Sequence, residues 1–520
     1  MPNETQAHEK HVLTTARKES LGGETLVDLV IKETYDKQQA EWAEQALQKT
    51  LDAVKESKAD KKTPLNTINE RIAILDAEIA DKLDMILHDP QFQKLEASWR
   101  GLHQLVSNTE TGPTLKLRVL DISKKALQDD LDKAVDFDQS GLFKKVYEEE
   151  YGTFGGHPFS LMVGDYAFGR SKNDISLLTK LSNVAAAAHA PFITAADAKL
   201  FDLDSFSDLD KPRDLSKSFE GTDATKWRSF RDSDDARYVS LVLPRVLQRL
   251  PYGEQGDPVE GLNYEENVYS RTRAKMMRAG EDEQQEAFLH GAVDTSKYLW
   301  GNAAYALAQR ITSAYASYGW CAAIRGVEGG GRVGNLPVFN FPTEATGKLR
   351  TFQCPTEITI TDRREKELSD LGFIALCHKK NEDMAVFFGG QTAAKPKKYN
   401  LDLANANARI SALLPYVLAA SRFAHYVKAM MRDKVGSFMT RENVERYLNN
   451  WIADYVLIND NAAQEIKARY PLREARVDVV AVPGKVGVYS ATIFIKPHFQ
   501  LEELTASIRL VADLPPPAAG

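Results

Sequence analysis

Arg476-Val-Asp-Val-Val-Ala-Val482, Pro483-Gly484-Lys485, Val486-Gly-Val-Tyr-Ser-Ala-Thr-Ile-Phe-Ile495 is the stretch around which the chain is organised. β-Branched residues dominate both flanking runs, alternation with a period of two is partial, and turn residues separate them. That pattern predicts two strands. After Lys496-Pro497-His498 and Leu501-Glu-Glu-Leu504, a last run from Thr505 to Ala512 predicts another strand, ahead of Leu514-Pro-Pro-Pro517. Such strands must pair, because an open ladder is a template for aggregation. The partner is either the chain's own sheet or a strand of another chain added by β-augmentation. Spacing alone favours the chain's own sheet.

Upstream, the pattern is that of an α/β body with a largely parallel sheet. Leu115, Leu117 and Val119 alternate as a strand, and Asp121-Ile-Ser-Lys124 opens a helix to about Asp136. A helix over Leu142–Tyr151 precedes a buried strand, Phe159–Val163, closed by Gly164-Asp165-Tyr166. Ile175–His189 reads as helix, Pro191–Thr194 as strand and Tyr238–Leu243 as strand. Further on come a helix over Trp300–Tyr318 and a short strand over Gly319–Ile324. Strands over Thr356–Ile360 and Phe373–Leu376 flank a charged helix, Asp362–Asp370, and Met384–Phe388 is another strand. Leu401–Met431 reads as one long helix kinked at Pro415, followed by helices over Arg441–Asn459 and Ala462–Tyr470.

The front of the chain is helical. Leu13 to about Glu56 carries an irregular apolar stripe, and Thr67 with Glu70 forms a capping box. Ile68, Ile72, Leu75, Ile79, Leu83 and Ile86 recur at helical spacing until His88-Asp89-Pro90, after which Phe92, Leu95, Trp99, Leu102 and Leu105 continue on another helix. These stripes pack either on the body of the same chain or on another subunit.

The 520 residues exceed what one core holds, so several domains are expected. A formal charge of -7 gives no reason to expect a nucleic-acid partner. No apolar run is long enough to span a bilayer, so no direct membrane insertion is expected, and the polar start Met1-Pro-Asn-Glu-Thr5 is unlike a signal peptide. Cys321, Cys354 and Cys377 have neither disulfide nor zinc spacing, which fits a reducing, cytoplasmic setting.

A search for chemistry ends negative, with no cofactor, metal or catalytic set expected. Gly329, Gly331 and Gly334 match dinucleotide-loop spacing, but Asn335-Leu-Pro337 opens no helix, so the loop reads as conformational. Asp165 stands where α/β enzymes place a carboxylate, with His157 and His189 near it only in number. A structural carboxylate is the favoured reading. Asp202-Leu-Asp204 and Asp232-Ser-Asp-Asp235 read as solvated surface rather than a cation site. A structural or assembly protein is favoured, and the rival is an α/β enzyme using Asp165.

Several long strings carry a resemblance to a known family. They are Ala16-Arg-Lys-Glu-Ser-Leu-Gly-Gly23, Asp89-Pro-Gln-Phe-Gln-Lys-Leu-Glu-Ala-Ser-Trp-Arg-Gly-Leu102 and Leu161-Met-Val-Gly-Asp-Tyr166. Leu243-Pro-Arg-Val-Leu247, Arg249-Leu-Pro-Tyr-Gly253, Trp300-Gly-Asn302 and Pro355-Thr-Glu357 belong with them. Over essentially its full length the chain resembles the large subunit of the type VI secretion contractile sheath, the TssC or VipB/EvpB family.

That resemblance implies a structural subunit, not an enzyme. Its fold would be α/β: mixed sheets with flanking helices, an N-terminal helical region, and a phage tail-sheath-like C-terminal domain with strands exchanged between protomers. The implied division is residues 1–12 disordered, 13–110 helical, 111–355 α/β body, 356–513 tail-sheath-like, and 514–520 a Pro-rich tail. Implied partners are a small sheath subunit (TssB/VipA-like), neighbouring protomers, an inner tube protein (Hcp-like), an AAA+ disassembly ATPase (ClpV-like) and baseplate components. The implied location is cytoplasmic, in a sheath docked through a baseplate to the envelope-spanning complex. The ATPase would engage a segment carrying Arg17, Lys18, Leu21, Leu26, Leu29 and Val30. The resemblance reverses the preference for internal pairing: at least one of the runs with Val486, Val488, Ile493 and Ile495, or with Ile508 and Leu510, should pair between chains. Arg446, Lys467 and Arg469 are the candidate inner-tube contacts.

Overall fold

The computed structural model describes residues 64–253, 256–260, 264–268, 294–338, 340–342, 350–352, 354–437, 439–459, 461–483 and 489–498, plus a few single positions. Backbone contacts divide the chain into two units, residues 1–89 with 251–284, and residues 90–250 with 285–520.

In the first unit, helix α1 (Pro64–Leu87) begins one turn before the expected capping box, at a proline. The fixed φ of proline suits a first helical turn, where its missing N–H is not needed. The helix ends at His88-Asp89-Pro90, as the sequence predicts. Its buried line is Ala80 and Asp84, whereas Ile72, Ile79 and Ile86 of the expected stripe are exposed. Asp84 is not left bare: it accepts from the Tyr264 hydroxyl at 2.7 Å and the Asn267 N–H at 3.2 Å. Glu266 accepts from the Tyr252 N–H at 2.9 Å and lies 3.2 Å from His88 Nε2. Buried carboxylates thus hold a polar, patternless segment to the helix, since a buried charge must be paired.

The second unit is built on a six-stranded sheet ordered β1-β2-β3-β9-β10-β6. Its strands are β1 (Met162–Phe168), β2 (Phe192–Ala196), β3 (Val239–Leu243), β6 (Arg332–Val333), β9 (Phe373–His378) and β10 (Ala385–Phe387). The first four in spatial order are parallel, and β10 and β6 run antiparallel to their neighbours. Small two-stranded pairs are made by β4 (Val246–Leu247) with β5 (Trp300–Gly301) and β7 (Asn340–Pro342) with β8 (Arg350–Phe352).

Period two sorts the central strands between two apolar layers. Val239, Leu241, Leu243, Phe373, Ala375 and Cys377 face one cluster. On that side lie α3 (Lys124–Lys133), α4 (Lys172–Ala188), α5 (Thr225–Arg231) and α7 (Asp362–Asp370). Val242, Ile374 and Leu376 face the other cluster, with α6 (Ala304–Tyr318). Helix α2 (Pro90–Ser107) joins this second layer through Leu105. Its buried line is Ala97, Gly101 and Leu105, so of the expected stripe only Leu105 is fully buried, and Phe92, Leu95 and Trp99 are exposed. Small residues win the inner face because a Cβ at Gly101 would strike the Tyr305 ring of α6. Close helix approach outweighs side-chain size there.

Several expected strands are absent from the ladders. Leu115–Val119 is extended, with Leu115 and Leu117 half-buried and Lys116 and Arg118 exposed, but it pairs with no described strand. Gly319–Ile324 and Thr356–Ile360 are irregular, Thr356 making a single bridge to Val246. Alternation records which side faces the core; it cannot supply a backbone partner. β1 starts three residues later than expected and runs through Gly164-Asp165-Tyr166 as an irregularity of register, which Thr194 Oγ1 satisfies by donating to the Gly164 and Tyr166 carbonyls. The long helix is two helices, α8 (Asp402–Ser411) and α9 (Leu414–Lys434), with Pro415 in the first turn of the second. The break is anchored where the Leu414 N–H donates to the Gly390 carbonyl at 2.7 Å.

Helix α10 (Arg441–Ala453), helix α11 (Gln464–Arg469) and the antiparallel hairpin β11 (Leu472–Ala481) with β12 (Tyr489–Pro497) complete the unit.

Candidate assembly interface at the C-terminal hairpin

Both strands of the hairpin alternate. Val477 and Val479 are buried and Ala475, Ala491, Ile493 and Ile495 half-buried on the inner face, while Arg476, Val480, Thr492 and Phe494 point out. The inner face packs on Val444, Leu448 and Ile452 of α10 and on Trp320 and Phe423. Those three α10 residues are four apart, one line of a helix. On the outer face Arg476 lies over the Phe494 ring and Lys496 pairs with Glu474 at 3.4 Å.

The two edges of this sheet differ. Asn449 of α10 donates to the Val477 carbonyl at 2.7 Å and accepts the Val477 N–H at 3.0 Å. Glu445 accepts the Val479 N–H at 3.3 Å, and residues 455–457 bond the backbone of Leu472 on both sides. The outer edge of β11 is therefore closed by its own chain. In an antiparallel ladder successive residues point their N–H and C=O alternately toward and away from the partner. If Val477 and Val479 face α10, then Arg476 and Asp478 face β12, opposite Phe494 and Thr492. The backbone groups of Ala491, Ile493 and Ile495 then lie on the far side of β12. No described strand pairs there.

Of the residues expected to link protomers, Ile493 and Ile495 sit on this edge, and β12 pairs with β11 of the same chain. Val486, Val488, Ile508 and Leu510 lie outside the described residues, as do Arg17, Lys18, Leu21, Leu26, Leu29 and Val30. Arg446 is exposed on α10, away from the Val444–Leu448–Ile452 line, and donates to Asn443 at 3.0 Å. Lys467 is half-buried and Arg469 exposed on α11, which packs against α6. The three basic residues thus stand on two elements with different packing partners.

Asp165 lies in the register irregularity of β1, beside Asn302 and Tyr305. Asn302 donates to the Gly164 carbonyl at 3.1 Å and to Asp165 Oδ1 at 3.4 Å. Burial and then the Asp165 charge push the Tyr166 phenol up to about 12 and raise that of Tyr305, which hydrogen-bonds Asp165. His157 sits beside Lys116 and Glu150, and His189 beside Tyr238. Among the described residues no cluster of His, Cys, Asp or Glu could hold a metal ion. No helix of the described residues is long and apolar enough to cross a membrane.

Several of the strings that looked distinctive in sequence meet in space among the described residues. Arg245 forks onto Glu357 with two bonds of 2.8 Å, Arg249 pairs with Glu96 at 2.9 Å, and Asn302 binds the Gly164-Asp165 bulge. Comparison with known proteins follows the same segments. The description "EvpB/VC_A0108, tail sheath N-terminal domain" matches residues 69–394, and "EvpB/VC_A0108, tail sheath gpW/gp25-like domain" matches residues 403–514. The chain belongs to the EvpB/VC_A0108 tail sheath family. It is a structural subunit of the type VI secretion contractile sheath, as the sequence resemblance implied.

This sheath subunit is 46% identical over 454 residues to the "Type VI secretion system sheath protein TssC1" of Pseudomonas aeruginosa, covering 87% of this chain and 86% of the relative. Among solved structures, the extracellular contractile injection system "PVC sheath complex in contracted state" is similar at TM-score 0.34 and 8% identity, over 64% of this chain and 68% of that one. The anti-feeding prophage baseplate is similar at TM-score 0.33 and 9% identity, over 65% of this chain and 66% of that one, just under two thirds of its length.

Proposed function

We propose that this subunit pairs with a small sheath subunit, polymerises with neighbouring protomers around an inner tube, and contracts to drive tube and spike out of the cell. One observation carries the linkage: β11 is sealed by Asn449, Glu445 and residues 455–457, while the β12 edge bearing Ile493 and Ile495 has no described partner. A strand from a neighbouring protomer completes the ladder there. Backbone pairing tolerates rotation of the bodies it joins, and a heterologous contact that does not close produces an open helix of subunits.

Function in this reading is mechanical. Contraction draws its free energy from new interprotomer contacts summed along the cylinder, and no catalytic group of this chain takes part. The outward Phe92, Leu95 and Trp99 of α2 support a second apolar contact with another subunit. The exposed Arg446 and Arg469, with the half-buried Lys467, would give the inner tube weak, releasable contacts, since exposed charges contribute little each. An AAA+ ATPase would engage the segment around Leu26 and Leu29, and the whole sheath would stand in the cytoplasm on a baseplate.

The test is co-expression with the small-subunit gene, full length and truncated after Pro483, followed by negative-stain microscopy. Hollow cylinders from the full-length pair, lost on truncation, are expected. Discrete compact particles from a well-expressed full-length pair would overturn the reading.

A further inference from the structure

We infer that the polar cavity beside the glycine-rich loop binds a small phosphate-bearing anion. The cavity has a volume of ≈ 520 Å³, within the range of small-molecule sites. Three elements converge on it. The end of α2 brings Gln104 and Asn108, α6 brings Gln309 and Arg310, and the loop with β6 brings Gly330, Arg332, Gly334 and Asn335.

The lining contains two arginines and no carboxylate. Arg332 is exposed, and neither it nor Arg310 has an ion-pair partner among the described residues. Glu328 of the same loop is exposed and does not line the cavity. Arg310 Nε is buried without a hydrogen bond among the described residues. Arg310 spends one other donor on Ser313 at 3.5 Å, a weak contact. A half-buried guanidinium lining a cavity without a carboxylate gains from an anion at its remaining N–H groups. Burial alone lowers the Arg310 pKa, with no acidic neighbour to raise it.

The loop itself is shaped by backbone crowding. A Cβ at Gly330 would meet the Ala323 carbonyl and one at Gly331 the Phe387 carbonyl, so the glycines let the loop pack closely on its own chain's backbone beside the cavity. This is not a Walker or dinucleotide loop, because β6 and not a helix follows it. Two guanidinium groups and the side-chain amides of Gln104, Asn108, Gln309 and Asn335 line the space from three elements. That disposition suits a tetrahedral oxyanion better than a planar carboxylate, and the arginine fork is well matched to phosphate.

Isothermal titration of the full-length chain, and of the co-expressed sheath, with inorganic phosphate and with pyrophosphate at low ionic strength tests the assignment. Saturable binding of at least one anion is expected, weakened tenfold or more in Arg310→Gln and in Arg332→Gln. Arg332 is exposed and unpaired, so its variant reports even if Arg310→Gln folds poorly. Absence of saturable binding, or unchanged affinity in Arg332→Gln, would overturn the proposal. Binding of a hexaglutamate peptide without binding of either phosphate would overturn it in favour of a protein carboxylate.

Discussion

Replacing Ala491 and, separately, Thr492 by proline distinguishes the two sides of β12. By the alternation set by Asn449 and Val477, the Thr492 N–H points into the hairpin ladder opposite Asp478, and the Ala491 N–H points to the open edge. Proline removes a donor in both cases, but only an edge-facing position tolerates it. In the isolated chain Ala491→Pro forfeits no hydrogen bond within the described residues and trims little packing, so its effect on unfolding stability should stay under about 1 kcal/mol. Thr492→Pro loses one ladder bond and strands the opposing carbonyl, together about 2–3 kcal/mol. Urea unfolding followed by the fluorescence of Trp320 and Trp451, both in the C-terminal core, measures this difference. In the co-expressed pair the order reverses in meaning. Ala491→Pro, stable on its own, should fail to form cylinders. Normal cylinders from Ala491→Pro would refute strand addition at this edge, and greater destabilisation by Ala491→Pro than by Thr492→Pro would refute the alternation itself.

Two further outcomes follow from the same core. Asn449→Ala removes both hydrogen bonds to the fully buried Val477, which should cost about 2–4 kcal/mol and speed hydrogen exchange at the Val477 amide at least tenfold; unchanged exchange would mean that another group holds that edge. His425 donates through Nε2 to the Ala188 carbonyl, and burial, reinforced by Arg422, His189 and Lys428, holds its pKa down to about 4. The unfolded chain takes up this proton near pH 6.5 and the native chain does not, so the stability contribution is complete above that pH and is lost as pH falls from about 6.5 to about 4. The loss should approach 3 kcal/mol. A urea-midpoint profile as flat in wild type as in His425→Gln over that window would refute it.

Much of the body was readable in one dimension because local pattern and tertiary role coincide there. The strands Phe192–Ala196, Val239–Leu243 and Phe373–His378 are apolar on both faces, as central parallel strands must be, and the helix Asp362–Asp370 has the bounds its charge pattern suggests. The family resemblance was also visible, and several of its strings supply ion pairs and hydrogen bonds within the body. What local pattern could not give was the partner of each segment. Leu115–Val119 alternates like a strand without a described strand to pair with. Phe92, Leu95 and Trp99 have helical spacing yet face outward, because Gly101 and Ala97 let α2 approach α6 along another line. No local signal marks Asn449 as the group that seals β11.

The sequence by itself determined that the runs through Val477 and Ile493 are strands and that the body is α/β, because periodicity and residue type are carried within each segment. The family was implied by a resemblance carried on long strings of residues, and the comparisons with known proteins showed it. Only the tertiary structure decided which edge of the hairpin is open, because edge closure depends on a side-chain amide and backbone groups brought from tens of residues away. The same holds for the convergence of Arg310 and Arg332 on one cavity. Hydrogen-bond satisfaction belongs to the folded ensemble of neighbours, and the linear order of residues does not contain it.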